Sequence, residues 1–293
     1  MKIAICGIVK CENLYLREWV EYYHKMGVNN IILYDNNDIN GEYPQAVIGD
    51  YISDGFVIYK DARGQHRYQV QAYNLCYEEY KYDYDWIGFL DVDEYWYLRP
   101  DLTFDEFFSE ERFPDAFAVF LNWLNYGDND KLHYENKPIQ ERFPQPTFPL
   151  DFGTTNGMVN KVKKLFVKCY AEGIKALFFD ANGVDHYYID KPLKYYAANG
   201  MLFSEGGEEV IDYSTSYIKH YRTLTIEEFL YRRFGRRGYA DNASHHNKEK
   251  IMACFWEQNE WTEEKQKIVD DFFSRFEVID DEPIKAKRIF DNE

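Results

Sequence analysis

The sequence predicts an α/β fold in which helices flank a mostly parallel central sheet. Short apolar segments of strand length alternate with segments of helical periodicity over the first third of the chain. The 293 residues suit one core of two or three layers. The sequence shows no internal repeat and no Pro/Gly/Ser-rich linker that would indicate a modular architecture. Sheets of this kind have right-handed crossovers and bind ligands at the carboxyl ends of their strands.

Apolar periodicity and turn residues predict the individual elements. In the first helix, apolar residues recur at helical spacing from Leu16 to Tyr23, and Gly27 favours a helix end there. Predicted strands lie at 2–9, 30–35, 56–60, 86–90 and 115–121. Further predicted helices lie at 70–80, 225–235 and 262–276. The last of these is amphipathic and is expected to pack on the domain, with weak membrane association as the alternative.

Composition narrows the class of protein. Lys and Arg total 34 against 51 Asp and Glu, and the formal net charge of −17 disfavours binding to nucleic acid. Aromatic residues make up 19% of the chain, and its 27 tyrosines suit surfaces that meet polar, ring-shaped ligands, with codon bias as the alternative explanation. The five cysteines are scattered and favour neither a disulfide framework nor a zinc site. The sequence has no apolar stretch of membrane-spanning length and no signal-peptide pattern, so we expect a cytoplasmic protein.

The strongest local signal follows the predicted strand 86–90. The apolar segment WIGFL runs directly into Asp91-Val92-Asp93-Glu94. In an extended segment residues i and i+2 point the same way, so Asp91 and Asp93 are expected to offer two oxygen ligands to one divalent cation. Such a cation would stabilise a diphosphate leaving group. A solvated acidic turn is the alternative, and the position at the end of a buried strand argues against it.

Three segments resemble glycosyltransferase family 92 and the bacterial family 2-like transferases near it. They are KCENLYLREWVEYYHKMGVNNIILYDNN, QVQAYNLCYEEY and WIGFLDVDEYW, and a weaker likeness recurs from His220 to Phe229. The resemblance implies a GT-A-like (Rossmann-related) fold and inverting transfer of a sugar from a nucleotide sugar, with UDP as the default nucleotide. We expect one domain, with a nucleotide-sugar-binding half (1–121), an irregular acceptor-side half (122–240) and a C-terminal helical extension (241–293).

The resemblance also implies roles for residues at the predicted strand ends. Asp35 matches the acidic position that meets the nucleotide base or ribose, and Lys10 and Glu12 match the loop that closes over the same nucleotide. Gln69 and Asn74 match polar groups placed against the base and ribose, although ordinary helix surface is an equal alternative.

The metal site is expected around the Asp-x-Asp segment. Asp91 is expected to face both the ribose and the metal, and Asp93 to bind the metal directly. His220 is a candidate to complete the site, and a nitrogen ligand suits Mn²⁺ better than Mg²⁺. The rival histidines are His186, His245 and His246. A structural, hydrogen-bonded role is the alternative for each histidine.

The acceptor is expected beside the irregular segment that begins at residue 122. In NWLNYG, which resembles the family's W-x-x-F-G segment, Trp123 and Tyr126 are candidates to stack on an acceptor sugar. Aromatic packing on the core is the alternative. The same interpretation extends to Phe143, Phe148 and Phe152. The acceptor class is a saccharide or a lipid-linked saccharide, with peripheral membrane contact as an option.

An inverting transfer needs a carboxylate base. Glu227, at the start of a predicted helix, is slightly favoured over Asp128 in the acceptor loop. The neighbouring Glu228 fits a capping box with Thr225, which leaves Glu227 available.

Four arginines stand out in this acidic chain. Arg232 with Arg236, and Arg233 with Arg237, are i, i+4 pairs that would lie side by side if the helix persists. A diphosphate or a lipid-linked phosphate would suit them, and salt bridges to the chain's own carboxylates are the alternative. The lysines at 161, 163 and 164 admit the same two interpretations.

Two other function classes stay open at this point. One is a metal-dependent nucleotidyltransferase or phosphohydrolase that uses the same carboxylates. The other is a non-catalytic carbohydrate-binding protein, against which the intact DVDE segment argues.

Overall fold

The computed structural model describes residues 1–66, 68–147, 163–169, 174–180, 183–188, 194–203, 211–234 and 248–275. The strands are β1 (Ile3–Val9), β2 (Asn30–Asp35), β3 (Val57–Asp61), β4 (Trp86–Phe89), β5 (Glu94–Leu98), β6 (Ala116–Asn125), β7 (Lys163–Lys168), β8 (Ile174–Asp180), β9 (Gly183–Tyr188), β10 (Lys194–Ala197), β11 (Leu202–Phe203) and β12 (Ser216–His220). The helices are α1 (Asn13–Met26), α2 (Gln45–Ser53), α3 (Gln69–Tyr80), α4 (Phe104–Phe107), α5 (Ile139–Arg142), α6 (Ile226–Phe234), α7 (Lys248–Trp256) and α8 (Glu263–Arg275).

The central sheet has the strand order β11-β10-β6-β7-β4-β1-β2-β3. β1 pairs in parallel with β2 and β4, and β2 pairs in parallel with β3. β7 is antiparallel to both β4 and β6. β5 and β12 form an antiparallel pair, and β8 and β9 form a separate antiparallel hairpin. The predicted α/β architecture is therefore confirmed, with β7 inserted antiparallel between β4 and β6 and with β11 antiparallel to β10 at the edge of the sheet.

Backbone contacts divide the chain into two compact units. The first unit comprises Met1–Leu124 and Gly157–His220, and the second comprises Asn125–Asn156 and Tyr221–Glu293. The first unit thus takes in part of the segment predicted as the acceptor-side half, because β7, β10 and β12 return to its sheets.

The core of the first unit forms because β1, β2 and β4 are apolar on both faces, as expected for parallel strands covered by helices. α1 packs through its apolar residues and ends at Gly27, whose φ of 91° is the left-handed conformation that favours glycine at a helix end. The predicted first helix and its end are confirmed.

The second unit has its own core, formed by α6, α7 and α8. Its buried side chains are Ile226, Phe229, Leu230, Phe234, Met252, Phe255, Val269 and Phe272. The amphipathic C-terminal helix predicted at 262–276 is α8, and its apolar residues pack here. Within the described ranges, no helix is both long and apolar enough to cross a membrane.

Candidate active site

The turn after β4 carries the acidic residues that the sequence singles out. The backbone N–H of Glu94 donates to the carbonyl of Asp91 at 3.0 Å, and the N–H of Asp91 donates to Glu94 Oε2 at 2.9 Å. These bonds close a turn because the chain must change direction between β4 and β5. The expectation that Asp91 and Asp93 lie on one extended segment is therefore wrong, and the two carboxylates have different surroundings.

Helix α1 fixes the far end of this turn. Trp19 Nε1 and the hydroxyl of Tyr23 each donate to the carbonyl of Glu94 at 2.9 Å. The same hydroxyl accepts from the N–H of Trp96 at 2.9 Å. Trp19 and Tyr23 are completely buried, so the start of β5 is held by a water-excluded network.

Asp91 is bound by three side chains. Gln69 Nε2 and the Tyr73 hydroxyl, both on α3, donate to Asp91 Oδ1 at 3.0 and 3.2 Å. Lys164 Nζ, on β7, donates to Asp91 Oδ2 at 2.8 Å. Both carboxylate oxygens are therefore engaged by protein donors, and Gln69, which the resemblance places against the base and ribose, is bonded to Asp91.

Glu94 shares the same lysine. Lys164 Nζ lies 3.2 Å from Glu94 Oε2, and the Glu94 side chain is fully buried. Burial raises the pKa of Glu94 well above its ordinary value, against the opposing effect of Lys164. Burial works to lower the pKa of Lys164, but Asp91 and Glu94 outweigh it and raise that pKa, so the ammonium stays charged.

Asp93 and His220 form the second part of the site. His220 Nε2, at the end of β12, lies 3.9 Å from Asp93 Oδ1. The Trp123 ring packs against the His220 ring at a centroid distance of 4.0 Å, and Lys164 Nζ lies 5.9 Å from the Trp123 centroid. The structure thus brings together three of the predicted residues, which are separated by up to 127 positions in the sequence.

The donor set of this pair fits a divalent cation. One carboxylate oxygen and one imidazole nitrogen suit Mn²⁺, provided that water or ligand oxygens fill the other positions. Among the described residues, no group of three or more His, Cys, Asp or Glu side chains is arranged to hold a metal ion.

Asp35, at the end of β2, is enclosed by protein donors. Its Oδ2 accepts from the Tyr59 hydroxyl at 2.7 Å and from Arg63 Nη1 at 3.1 Å. Its Oδ1 accepts from the backbone and side-chain nitrogens of Asn37 at 3.0 and 2.7 Å. The carboxylate has no exposed surface, so Asp35 organises the loop around it.

Arg63 is a residue of this region that the sequence analysis did not single out. Its guanidinium also donates to the carbonyls of Asp38, Ile39 and Glu42 and stacks over the Tyr43 ring at 3.9 Å. The rule that polar residues follow strand ends could have found it, because it comes two residues after β3.

The other predicted nucleotide-binding residues also have protein partners. Lys10 Nζ pairs with Asp38 Oδ1 at 3.0 Å, and Glu12 is buried at the start of α1. Asn74 Nδ2 donates to the carbonyl of Val70 at 2.9 Å within α3, the ordinary helix interaction left open above.

The two base candidates lie in the second unit. The Glu227 side chain is 24% exposed, its Oε2 accepts from the N–H of Tyr134 at 2.9 Å, and its Oε1 lies 3.6 Å from His133 Nδ1. Asp128 is buried and pairs with Lys265 at 2.6 Å. Burial raises the pKa of Asp128, against the opposing effect of Lys265.

The predicted capping box at the start of α6 is confirmed. The N–H and hydroxyl of Thr225 donate to Glu228 Oε2 at 3.3 and 2.8 Å, and the N–H of Glu228 donates back to the Thr225 hydroxyl at 3.2 Å. Glu228 also forms a buried ion pair with Arg142.

The predicted acceptor-side residues have mixed surroundings. Trp123 is half-buried, whereas Tyr126 is buried and packs on Tyr221 at a centroid distance of 4.8 Å. Arg232 is buried in α6, so it does not lie on an exposed basic face. Arg236 lies outside the described residues, as do Arg237, His245, His246, Phe148, Phe152 and Lys161.

Residues 3–232 match the family model described as Glycosyltransferase family 92. The chain belongs to glycosyltransferase family 92. A family 92 protein of Ricinus communis is 28% identical over 105 residues, which cover 36% of this chain and 19% of that protein. One of Arabidopsis thaliana is 28% identical over 97 residues, 33% of this chain and 16% of that protein. The matched segments thus span less than a fifth of these family 92 relatives.

Among solved structures, the chain is similar to S. aureus TarS 1-349 in complex with UDP-GlcNAc. The identity is 12%, the TM-score is 0.33, and the match covers 46% of this chain and 37% of that one. The family and the strand order, with β7 antiparallel beside β4, agree with the predicted GT-A-like fold class, which is confirmed.

Proposed function

We propose that this family 92 chain transfers a sugar from a nucleotide sugar to a saccharide or lipid-linked saccharide. The observation that carries the proposal is the proximity of Asp93 to His220, next to Asp91, which is hydrogen-bonded to Lys164. Asp91 and Asp93 follow β4, which is parallel to β1, at the end of the sheet where parallel strands bind ligands, and His220 ends β12. Family membership supports sugar transfer over nucleotidyl transfer or hydrolysis.

We assign a divalent cation, Mn²⁺ or Mg²⁺, to Asp93 and His220. When bound, it would offset the negative charge of the donor diphosphate. The predicted assignment of Asp91 as a direct ligand is weakened by the engagement of both its oxygens. Asp91 is instead held in a fixed orientation and accepts a hydrogen bond from the nucleotide sugar. A ribose hydroxyl is a suitable partner for such a carboxylate.

The donor nucleotide is proposed to be a uridine diphosphate sugar, bound at the carboxyl ends of β1, β2 and β4. Lys10 directly follows β1 and pairs with Asp38, and Gln69 aligns Asp91 from α3. Asp35 and Glu12 support the loops of this region from their buried positions.

Glu227 is the proposed base for an inverting transfer. Its side chain keeps contact with solvent, and the N–H of Tyr134 fixes one of its oxygens. Asp128 is the weaker candidate because its ion pair with Lys265 opposes proton uptake and its burial keeps the carboxylate away from a substrate. On the acceptor side, Trp123 is favoured over the buried Tyr126 as a surface for a sugar ring.

A cytoplasmic site of action, with peripheral membrane contact as an option, belongs to this proposal and rests on the sequence pattern alone.

The proposal is tested by incubating the protein with Mn²⁺ and a panel of nucleotide sugars and measuring the nucleotide released. Asp93→Asn should lower transfer at least about 100-fold while the melting temperature changes little. Asp101→Asn is the matched control, since Asp101 is an exposed aspartate whose ion pair, within the described residues, is with the surface Arg99. Full activity of Asp93→Asn would refute the metal site.

A second variant tests the base. Glu227→Gln should lower the turnover number by about 10²–10⁴-fold with little change in KM for the donor. Consumption of nucleoside triphosphates without any release from nucleotide sugars would instead favour the nucleotidyltransferase or phosphohydrolase alternative. Sugar binding that is independent of Mn²⁺ and without turnover would favour the carbohydrate-binding alternative.

A further inference from the structure

Lys164 occupies a central position in the acidic site. Its ammonium lies 2.8 Å from Asp91 Oδ2 and 3.2 Å from Glu94 Oε2, so one nitrogen bridges two carboxylates. The side chain is only 16% exposed. Glu94 is fully buried, and within the described part of the chain its Oε1 has no hydrogen-bond partner.

The position of the ammonium is one that a metal ion could occupy. Proteins hold divalent cations by aiming oxygens of separate carboxylates at one point, and here that point is filled by the Lys164 nitrogen. Lys164 is held there by β7, which pairs with β6 and β4 on its two sides. Since a lysine ammonium is a compact charge with three donors, it can satisfy two carboxylates without displacing either.

We propose that Lys164 is a positioning residue that acts as the built-in cation of this site. It holds Asp91 against Gln69 and Tyr73, and it takes the place that a second divalent cation would occupy between Asp91 and Glu94. The site therefore binds one divalent cation, at Asp93 and His220. This inference rests on the proposed function, because it concerns the metal and donor of the same site.

A purely structural ion pair would make a different prediction. In that case, removing Lys164 would lower stability but would leave the number of bound cations unchanged. If Lys164 instead stands in for a cation, removing it leaves Asp91 Oδ2 without its donor and Glu94 Oε2 with only the N–H of Asp91, and a metal ion can then bind to both oxygens. The number of Mn²⁺ ions per chain therefore distinguishes the two roles.

The experiment titrates Mn²⁺ into the full chain in the presence of UDP and measures bound Mn²⁺ by electron paramagnetic resonance and calorimetry. Wild type should bind one Mn²⁺ per chain. Lys164→Ala should bind a second Mn²⁺, and Mn²⁺ should raise its Tm more than that of wild type. Lys164→Arg should keep a stoichiometry of one. Lys168→Ala, which removes the partner of Glu110 further along β7, is the matched control and should behave as wild type.

Two further variants keep the inference testable if Lys164→Ala does not fold. Asp93→Asn should abolish Mn²⁺ binding. Asp91→Asn should still bind Mn²⁺, with a Kd within about threefold of the wild-type value, which is less than a tenfold change in affinity. Loss of Mn²⁺ binding in Asp91→Asn, two Mn²⁺ ions in wild type, or one ion of unchanged affinity in a folded Lys164→Ala would each overturn the role of Lys164. Absence of Mn²⁺ and UDP binding in wild type would instead overturn the proposed function.

Discussion

The buried ion pair of the second unit permits a quantitative test of what holds that unit together. Arg142 Nη1 lies 2.9 and 2.8 Å from the two carboxylate oxygens of Glu228, and the side chains are 1% and 0% exposed. Arg142 Nε also donates to the carbonyl of Lys137 at 3.1 Å. Because solvent is excluded, water cannot replace either partner when the other is removed.

Removing one charge should therefore cost much more than removing both. Arg142→Met leaves the Glu228 carboxylate buried without its counter-charge, and we expect a loss of about 3–5 kcal/mol in the free energy of unfolding. Glu228→Gln strands the guanidinium and should cost a similar amount, although the amide oxygen can still accept from Thr225. The double variant carries neither charge, so its loss should be only about 1–2 kcal/mol, the value of the lost hydrogen bonds.

The assay is urea and thermal unfolding of wild type, both single variants and the double variant. Each single variant should lower the melting temperature by on the order of 10 °C. Arg275→Met is the control in the same unit, since its pair with Asp271 is exposed and should contribute less than about 1 kcal/mol. Additive losses in the double variant would refute the reasoning, because they would show that no uncompensated charge is created in the single variants.

Two further predictions concern packing and pH. A Cβ at Gly88 would lie 2.5 Å from the Phe166 ring, so Gly88→Ala should lower the free energy of unfolding by about 1–3 kcal/mol. A Cβ at Gly49 would have no atom within 4 Å, so Gly49→Ala should be neutral or stabilise by up to about 1 kcal/mol. Equal unfolding free energies for the two variants would contradict this. Burial, assisted by the hydrogen bond to Asp35, raises the pKa of Tyr59 to about 12. Its contribution to stability is complete below pH 10 and is lost as the pH rises from 10 to 12, because over that range Tyr59 ionises in the unfolded chain before it ionises in the folded one. Tyr59→Phe should flatten this loss of Tm, and tyrosinate absorbance that shows Tyr59 ionising near pH 10 would rule it out.

The elements of the first unit could be predicted because their signals are local. β2 has the predicted bounds, and α1, α3 and β4 lie within a residue or a few of theirs. In each of these elements the apolar residues recur at the spacing of a helix or a strand, and the side chains at that spacing are buried. β5 was not predicted, since Glu94–Leu98 continues directly from the acidic segment and its strand partner, β12, lies more than a hundred residues away.

The interactions of the acidic residues could be predicted only in part. The proximity of His220 to Asp93 followed from the family resemblance, because no local pattern connects positions so far apart. The pairing of Asp91 with Lys164 spans 73 residues and depends on β7 being inserted between β4 and β6. The sequence alone therefore allows Lys164 either to bind a ligand anion or to form a salt bridge within the chain. The structure shows a salt bridge.

Ion pairing divides the acidic residues that the sequence singled out. Asp35, Asp128 and Glu228 are buried, and each is paired with an arginine or lysine that is at most 11% exposed, so their charges are neutralised within the fold. Asp93 and Glu227 keep 13% and 24% of their side-chain surface, and each faces a histidine. A carboxylate matched to an arginine or lysine has little charge left to offer a ligand, whereas one beside a histidine retains it when the imidazole is neutral. Among the described residues, these ion pairs therefore neutralise within the fold part of the negative charge that the net value of −17 counts.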